Sequence, residues 1–579
     1  MAFRFLSDML RDVSSTPESD NIDESASFYE GVEGNDDESD LDEEIIGDLG
    51  RSSSDEESET DDVEVEVDLG LGQVACGSSS DSEWSEHLHD VNVDEFVDYD
   101  SSLLHNLSES AEPIDYFHLF LPESFFEDCA EQTNLYAQQM QEKIDERWEA
   151  CTVSDVKIFL YVNIYFGIKR LPHYAHYFAE HPLLRVEAVA SVLTKARYEK
   201  LSQYFHLNNN DNFHPRGHPE HDPLFKVRPL LDLVVAKSKA LYLPGRNISF
   251  DEAMVQYTGR LYFKQYIRGK PTPWGVKVWC AADPRTGYLL DFFLYTGKGK
   301  LGPNGLGYDV ITTLGDRFNN RGHHFFFDNF FSSVKLAKDL LQQGTYSCST
   351  IRPSRKGWPK DLSKKKKEPK GTTKMRQSGN LLATLWVDKR PVTVLSTSSN
   401  PTMTSAQRRT KEGPVSKQIS QPIVHYNKSM GGVDLHDQYR SYYPVGRRSK
   451  KWWRCCVWFL FQVAIINSWI IYRKSYPASN KLSHLDFRLS ILMKLMKGNS
   501  SRKRRRTDNI NVSGLSSNDP TDHQVIRLHG RKKCCVWCRK SGQKTATNRV
   551  PETVFGCTLC QVHLCKDLCF AAYHNDLNK

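Results

Sequence analysis

The strand and helix pattern between residues 248 and 351 constrains the fold more than any other feature of this 579-residue chain. Apolar alternation, continuous apolar runs and turn residues predict five strands and two helices in this region. The strands are predicted near 248–255, 275–280, 288–295, 323–327 and 345–351, and the helices near 308–318 and 333–343. The resulting order, β, β, β, α, β, α, β, matches a ribonuclease H-like core.

Two aspartates occupy defined positions in this pattern. Asp251 lies within the first strand, in NISFDEAMVQ, and Asp328 ends the apolar run HHFFF. A rigid sheet would hold both carboxylates in place, and Mg²⁺ prefers oxygen ligands. Two such ions roughly 3.5 to 4 Å apart stabilise the attacking and leaving oxygens of a displacement at phosphorus. The pattern therefore predicts a metal-dependent phosphoryl-transfer site.

A third carboxylate is predicted from a later segment, MGGVDLHDQYRSYYP. Gly431 and Gly432 open a helix here, and Pro444 ends it. Asp434 and Asp437 lie three residues apart on one face of this helix. Either carboxylate could complete the metal site.

Four segments resemble piggyBac transposases in content, order and spacing: SFDEAMVQYTGRLYFKQY, FFFDNFFSS, YNKSMGGVDLHDQY and the cysteine-rich end. The resemblance covers about residues 113 to 579. It implies that the family's catalytic triad falls on Asp251, Asp328 and Asp434, with Mg²⁺ or Mn²⁺ as the cofactor. The family's additional required aspartate falls on Asp437.

The resemblance also implies an activity and its partners. A cut-and-paste DNA transposase of this family nicks the element end with metal-activated water, and the freed 3′-hydroxyl attacks the opposite strand. The family forms hairpin ends, inserts at TTAA and excises without a footprint. Its partners are double-stranded DNA, including terminal repeats and the TTAA target, and a second copy of the chain in a homodimer.

The fold class that follows is multidomain, α+β/α, with a ribonuclease H-like catalytic core that carries an insertion domain. A helical dimerisation and DNA-binding domain precedes this core, and a cysteine-rich zinc-binding domain follows it. The predicted divisions are an acidic tail (1–112), the helical domain (113–245), the first part of the core (246–351) and a basic insertion domain (352–428). They continue with the last part of the core and its buried helices (429–495), a basic linker (496–530) and the zinc domain (531–579).

The charge is strongly polarised along the chain. Residues 1–100 hold 33 acidic and 3 basic residues, which leaves 40 acidic and 72 basic residues for the rest. The first segment is too charged to bury a core, and we expect it to be disordered. It either promotes solubility or competes with DNA for the basic body. Phosphorylation of Ser53, Ser54 or Ser58 would strengthen such competition.

Basic and aromatic residues predict DNA-facing surfaces in three places. Cations interleaved with aromatic rings suit phosphates and unstacked bases. The densest segment comprises Arg447, Arg448, Lys450, Lys451, Trp452, Trp453 and Arg454. Further candidates are the helical residues Lys195, Arg197 and Lys200 and the lysine run 364–367. Ordinary solvated surface charge is the alternative for each of them.

The apolar run CCVWFLFQVAIINSWIIY is long enough to raise the possibility of a membrane span. Gln462 and Asn467 interrupt it, and no signal-like segment begins the chain. The resemblance places a buried helix here, under the catalytic sheet. We therefore predict a core helix and no membrane partner.

A compact basic cluster at residues 501–506, SRKRRR, lies in a polar linker. Such clusters are typical of nuclear import signals. The cluster predicts nuclear localisation, with a nonspecific DNA tether as the alternative.

Seven of the 14 cysteines lie in the last 46 residues, in spacings typical of zinc ligands. Disulfides are less favoured, because the chain shows no secretory signal and carries the basic nuclear-type cluster. Two zinc ions in a cross-brace need eight ligands. Seven are predicted to be Cys535, Cys538, Cys557, Cys560, Cys565, Cys569 and His574. The eighth is either Cys534 or His563.

The family uses its cysteine-rich domain to bind terminal repeats, which makes the basic residues around it candidate DNA contacts. These residues are Arg531, Lys532, Lys533, Arg539 and Lys540. Two functions remain open from sequence. One is an active transposase, and the other is a domesticated, catalytically silent DNA-binding or chromatin protein that retains the fold.

Overall fold

The structure, a computed structural model, divides the chain into two compact units, Met1–Lys503 and Arg504–Lys579. It describes residues 84–96, 103–140, 148–268, 270, 272–297, 302–363, 368–410, 413–476, 481–499, 523, 525–528, 531–558, 560, 562–566 and 568–577. Several predictions concern residues outside this set. They are the acidic tail before residue 84 with its three candidate phosphorylation sites, the lysine run 364–367 and the basic cluster 501–506.

The helices predicted after residue 113 are present. They are α1 (Pro113–Phe120), α2 (Glu123–Gln139), α3 (Val153–Ile168), α4 (Glu187–Ala190), α5 (Lys195–Tyr204) and α6 (Arg228–Ala240). A capping box begins α3, because Thr152 accepts from the backbone N–H of Asp155 while the Asp155 carboxylate accepts from that of Thr152. Apolar residues surround α3, which lies buried within the helical layer.

A nine-stranded sheet forms the centre of the first unit. Its strands are β1 (Asn247–Gln256), β2 (Gln265–Tyr266), β3 (Trp274–Ala282), β4 (Leu289–Leu294), β5 (His324–Phe327), β6 (Tyr346–Thr350), β7 (Thr373–Ser378), β8 (Leu381–Val387) and β9 (Pro391–Ser396). The strand order is β2-β3-β1-β5-β6-β9-β8-β7, and β4 also pairs with β3. Helices α7 (Leu306–Gly315) and α8 (Val334–Gln342) flank β5 along the chain.

The pairing directions confirm the ribonuclease H-like order. β1, β3 and β4 form an antiparallel meander, whereas β1, β5 and β6 are parallel to one another. Helices connect the parallel strands, as such crossovers require. The continuous apolar character of β5 follows from its central position, since all four of its residues are buried.

The segment predicted as a separate insertion domain, 352–428, is joined to the core through main-chain pairing. β9 pairs antiparallel with β6, and β8 and β7 extend the same sheet. β6 would otherwise be an open edge, and Leu382 and Leu395 bury their side chains on this extension. β10 (Met403–Thr410) and β11 (Gly413–Ser420) form a separate two-stranded ribbon before α9 (Gln421–Ser429).

The prediction that residues 1–112 are a disordered tail is wrong for residues 103–112, where Leu103 pairs with Tyr242, and for residues 84–96. Ser85 pairs with Gln377 of β7, and the Trp84 indole donates to the carbonyl of Gly357 at 2.9 Å. This segment gains its order from the sheet rather than from a core of its own. It pairs with the outer strand β7, which would otherwise expose unpaired backbone groups.

Three helices complete the first unit: α10 (Gly432–Tyr442), α11 (Trp452–Ser475) and α12 (His484–Met496). Among the described residues, α11 alone is long and apolar enough to cross a membrane, by length and composition only, and 94% of its most apolar 18-residue stretch is buried. The Asn467 amide exchanges two hydrogen bonds with the backbone of Leu289, at 3.1 and 3.0 Å. This polar residue therefore attaches α11 to β4, as expected of a core helix.

The second unit is small and contains short elements. They are β12 (Val525–Arg527), β13 (Lys533–Cys534), α13 (Val536–Lys540), β14 (Glu552–Thr553), β15 (Phe555–Cys557) and α14 (Leu568–Leu577). β12 pairs with β15, and β13 pairs with β14. Because β12 belongs to this unit, the unit extends to the N-terminal side of residue 531, into the segment predicted as a linker.

Candidate active site and metal clusters

Asp251 and Asp328 lie side by side on neighbouring strands. The parallel pairing of β1 and β5 sets Phe250 opposite Phe327, and each aspartate is the next residue along its strand direction. Backbone N–H groups orient both carboxylates. The backbone N–H of Glu252 donates to Asp251 Oδ1, and the backbone N–H of Phe330 donates to Asp328 Oδ1, both at 2.8 Å.

Helix α10 carries Asp434 to the same place, and its approach depends on Gly432. A Cβ at this residue would lie 2.3 Å from Ser249 Oγ and 3.0 Å from Pro284 Cα. The glycine therefore permits contact between the helix start and β1. His436, one turn further along the same face of the helix, donates from Nδ1 to the carbonyl of Gly287 at 2.9 Å.

Asp251 lies close enough to Asp328 and Asp434 for their charges to act on its carboxylate. Burial raises the pKa of Asp251 well above its usual range, and the charges of Glu252, Asp434 and Asp328 raise it further. Burial and Glu252 raise the pKa of Asp328 to about 6. Burial also raises the pKa of Asp434, although the Lys270 ammonium opposes the rise.

Asp437 has a different setting from the other three. Its Oδ1 accepts from Arg440 Nη1 at 2.7 Å, and Arg440 Nη2 donates to the carbonyl of Met254 in β1 at 3.1 Å. Burial raises the pKa of Asp437, whereas the Arg440 charge lowers it. Asp437 thus takes part in an ion pair that attaches α10 to the central sheet.

Sequence reasoning missed two charged residues of this centre, Glu252 and Lys270. Lys270 Nζ lies 3.4 Å from Glu252 Oε1 and donates to the Glu252 carbonyl oxygen at 3.1 Å. Glu252 follows Asp251 directly, but alternation along a strand assigns it to the opposite face. Lys270 lies in a turn-rich segment with no recognisable motif, and only the return of the chain from β2 to β3 places it here.

The donor set fits a hard divalent cation. Asp251 lies in β1, Asp328 directly follows β5 and Asp434 lies in α10, and all three offer carboxylate oxygens. Their raised pKa values reflect repulsion and desolvation that a bound cation would relieve. This is the chemistry expected of Mg²⁺ or Mn²⁺.

Three of the predicted DNA contacts have structural partners. Trp453 is 3% exposed and contacts His206 edge to face, with 5.4 Å between ring centroids, so its ring cannot stack on a base. Arg447 Nη2 donates to the carbonyl of Pro172 at 2.6 Å. Arg454 donates to the backbone of Ser202. The cation and aromatic pattern here arises in part from the anchoring of α11 and the loop before it.

The remaining members of this segment are accessible to different degrees. Arg448 and Lys450 are exposed, and Lys451 and Trp452 are half-buried. Among the earlier candidates, Lys195 is exposed, Lys200 is half-buried, and Arg197 forms a 2.8 Å ion pair with the buried Asp155. Arg197 therefore has a structural role, which burial and the capping position of Asp155 explain.

The second unit brings its cysteines and histidines into two groups of four, with all ligand atoms of a group within 4.8 Å of one another. The first group is Cys535, Cys538, Cys565 and Cys569, and the second is His523, Cys557, Cys560 and His574. The backbone N–H groups of Cys538 and Cys565 donate to the Cys535 sulfur. They lower the pKa of this thiol, although burial alone would raise it. Four N and S donors suit tetrahedral zinc.

The eighth donor, and the fourth member of the second group, is His523. The prediction of Cys534 or His563 for this position is wrong. His523 Nδ1 lies 3.2 Å from Cys557 Sγ and 3.4 Å from Cys560 Sγ. His563 Nδ1 instead donates to the carbonyl of Thr553 at 3.0 Å, and Cys534 lies in β13 outside both groups. The pairing of β12 with β15 brings His523 beside the second group from a distant part of the chain.

The basic residues predicted around the zinc unit are all exposed. They are Arg531, Lys532, Lys533, Arg539 and Lys540. Lys540 forms an ion pair with Asp576 of α14. The other four present cations to solvent on the same small unit.

Comparisons with known proteins match both units. Residues 112–469 match the family described as Transposase IS4, and residues 518–575 match the family described as DDE_Tnp_1-like zinc finger. PiggyBac transposable element-derived protein 3 of Homo sapiens is 28% identical over 489 residues, which span 80% of this chain and 76% of that protein. PiggyBac transposable element-derived protein 2 of Homo sapiens is 26% identical over 443 residues, which span 74% of this chain and 73% of that protein.

The fold is also that of a solved transposase structure. It is the cryo-EM structure of a piggyBac transposase synaptic complex with hairpin DNA, which matches with a TM-score of 0.64 at 21% identity. The match covers 80% of this chain and 98% of that chain. The zinc-finger match and the two ligand groups together show that the C-terminal unit is a zinc-binding unit.

Proposed function

The chain belongs to the piggyBac-type family of transposases, and from this premise we propose that it is a metal-dependent DNA transposase of the cut-and-paste type. The observation that carries the proposal is the convergence of Asp251, Asp328 and Asp434 on one half-buried region, through the pairing of β1 with β5 and the close approach of α10 to β1. All three carboxylates that the family requires are present in this chain, whereas a lost one would have favoured a silent derivative.

Three carboxylates of this chain would hold the metal ions that strand cleavage requires. Asp251 lies in β1, Asp328 directly follows the adjacent strand β5, and Asp434 approaches from α10. Mg²⁺ or Mn²⁺ bound to them would lower the pKa of water and neutralise charge at the scissile phosphate. Hydrogen bonds from Glu252 and Phe330 keep the carboxylates oriented before a substrate arrives.

The products that we propose are those of the family. A 3′-hydroxyl released by the first nick attacks the opposite strand to give a hairpin end, and joining follows at TTAA. The cation-rich surfaces support binding to DNA, because exposed Arg448, Lys450 and the cations Arg531, Lys532 and Lys533 attract phosphate. The zinc unit is proposed to recognise terminal repeats.

Two further features are proposed on sequence grounds. Nuclear localisation depends on residues 501–506, and a homodimer is proposed because the family assembles two chains on its element ends. Both are independent of the chemistry at the carboxylate centre. A fusion of residues 496–530 to a fluorescent reporter that stays cytoplasmic would contradict the nuclear assignment.

A second function has specific support. The relatives from Homo sapiens are named as transposable element-derived proteins, and a chain of this kind can retain DNA binding without cleavage. The proposed test uses full-length zinc-loaded protein, Mg²⁺ and DNA that carries the terminal repeats flanking its own genomic copy. Nicks, hairpin ends and joining at TTAA support the transposase. Tight binding to these repeats without any nick supports the silent DNA-binding protein.

A further inference from the structure

Two ion pairs lie at the carboxylate centre, and each engages one acidic residue. Lys270 lies 3.4 Å from Glu252, and Arg440 lies 2.7 Å from Asp437. Neither cation is a surface charge, because the side chains of Lys270 and Arg440 are only 10% and 15% exposed. In the Lys270–Glu252 pair both side chains are at most 15% exposed, so solvent and salt screen this pair only weakly.

The contacts of Lys270 extend beyond its own partner. Its ammonium donates to the backbone carbonyl of Glu252, which fixes it to β1. Its charge also attracts Asp251, Asp434 and Asp437. Lys270 thus lies among the acidic groups and is held there by the strand that carries Asp251.

Asp251, Asp328 and Asp434 form no ion pair within 4 Å with any residue that the structure describes. The acidic side chains of the centre therefore fall into two classes. Glu252 and Asp437 each pair with an internal cation, whereas the other three carboxylates do not.

We propose that Lys270 is a positioning residue that withholds Glu252 from the metal site and thereby sets the charge that divalent cations encounter. The inference rests on the proposed function, since it concerns the same metal site. The carboxylates of Asp251, Asp328 and Asp434 and one phosphodiester of the DNA together carry four negative charges. Two divalent cations balance these four charges. A free Glu252 would add a fifth negative charge, so the centre would bind cations more tightly before DNA arrives.

The test measures Mn²⁺ binding to full-length, zinc-loaded protein without DNA. The electron paramagnetic resonance signal of free Mn²⁺ reports how much of the ion remains unbound. Thiolate groups filled with zinc have little affinity for this hard cation. Lys270→Met should tighten Mn²⁺ binding about fivefold to tenfold, because it removes a nearby positive charge and frees a carboxylate. Lys270→Arg should remain within about twofold of wild type, since it keeps the charge.

The double variant Lys270→Met/Glu252→Gln separates charge from folding. It removes both members of the ion pair, so Mn²⁺ affinity should return to within about threefold of wild type. Lys264→Met is the matched control. Lys264 lies on the same segment, but its ammonium donates to the carbonyls of Thr258 and Gly259, and its removal should leave Mn²⁺ affinity unchanged.

Unchanged or weaker Mn²⁺ binding in Lys270→Met would overturn the inference, as would a double variant that binds as tightly as the single one. The proposed function fails in a different way. If wild-type protein binds no Mn²⁺, or if Asp251→Asn binds it as wild type does, the metal centre itself is wrong. Melting temperatures of all variants, measured in parallel, identify any that are unfolded.

Discussion

Asp251 and Asp328 each follow one member of a cross-strand pair, Phe250 and Phe327, on two parallel strands of the central sheet. Strand pairing alone therefore brings two residues that are 77 positions apart in the sequence side by side. Helix α10 then adds Asp434 through the close approach of Gly432 to β1. The site is thus built mainly from backbone geometry, and individual substitutions can test each part of it.

Asp328→Asn should stabilise the metal-free protein. Burial and the charge of Glu252 raise the pKa of Asp328 to about 6, so an ionised Asp328 at pH 7.5 costs folding free energy. The neutral amide removes this cost and should add about 1–3 kcal/mol to the free energy of unfolding. Thermal melts in chelator measure the effect. The exposed Asp316→Asn is the control, and a lower melting temperature for Asp328→Asn would contradict the electrostatic account.

Gly432→Ala should separate α10 from the sheet. The added Cβ would meet Ser249 Oγ at 2.3 Å and the backbone of Pro284, so the helix must shift and carry Asp434 away from its partners. We expect DNA cleavage to fall about a hundredfold, because misplaced catalytic groups cost this much. Gly431→Ala is the matched control, since its Cβ would meet no atom within 4 Å. Equal activity of the two variants would refute the packing argument.

Part of this site is predictable from sequence and part is not. Apolar periodicity and turn residues identify the strands that carry Asp251 and Asp328, because both signals are local. The ion pair between Lys270 and Glu252 depends on the path of a loop, and periodicity does not encode such paths. Arg440 beside Asp437 is an i, i+3 pair that sequence reasoning can propose, but its bond to Met254 follows only from packing.

His523→Ala should remove one of two zinc ions per chain. His523 completes a group with Cys557, Cys560 and His574, and three remaining donors bind zinc far more weakly. Zinc content of purified full-length protein, measured by inductively coupled plasma mass spectrometry, should fall from about two to about one. Cys534→Ser should keep the full content. Loss of one zinc ion in Cys534→Ser but not in His523→Ala would instead support Cys534 as the eighth ligand.

His206→Gln should weaken the loss of stability in mild acid. Burial and the nearby charge of Lys226 lower the pKa of His206 to about 4, and its ring stacks on Tyr136 at 4.1 Å. Below pH 6.5 the unfolded chain takes up a proton on this residue that the folded chain does not. Stability therefore falls as pH drops from 6.5 to about 4, by about 1–2 kcal/mol from this residue at pH 5.

The measurement for His206 is the melting temperature at pH 7 and at pH 5. The decrease between these two values should be smaller in His206→Gln than in wild type. His218→Gln, which changes an exposed histidine, should behave as wild type does. An equal decrease in all three proteins would show that His206 is not a buried neutral group.

The DNA-facing predictions show the limit of composition. Arg447, Trp453 and Arg454 have the residue types of a nucleic-acid surface, yet they anchor the loop before α11 and the start of that helix. A sequence pattern shows the type of a residue but not whether its side chain faces solvent or the core. Trp453 lies on the buried face of α11. His523 shows the converse, because a lone histidine before a predicted zinc domain gains its role only from the pairing of β12 with β15.

The most direct test of the central claim measures DNA cleavage and DNA binding on the same protein samples. Wild type, Asp251→Ala, Asp328→Ala and Asp434→Ala are compared in Mg²⁺ on DNA with terminal repeats. The three-carboxylate site predicts that each variant loses nicking by more than about a thousandfold while its affinity for the repeats stays within about threefold of wild type. Near wild-type nicking by any one of the three variants would contradict the assignment of this site.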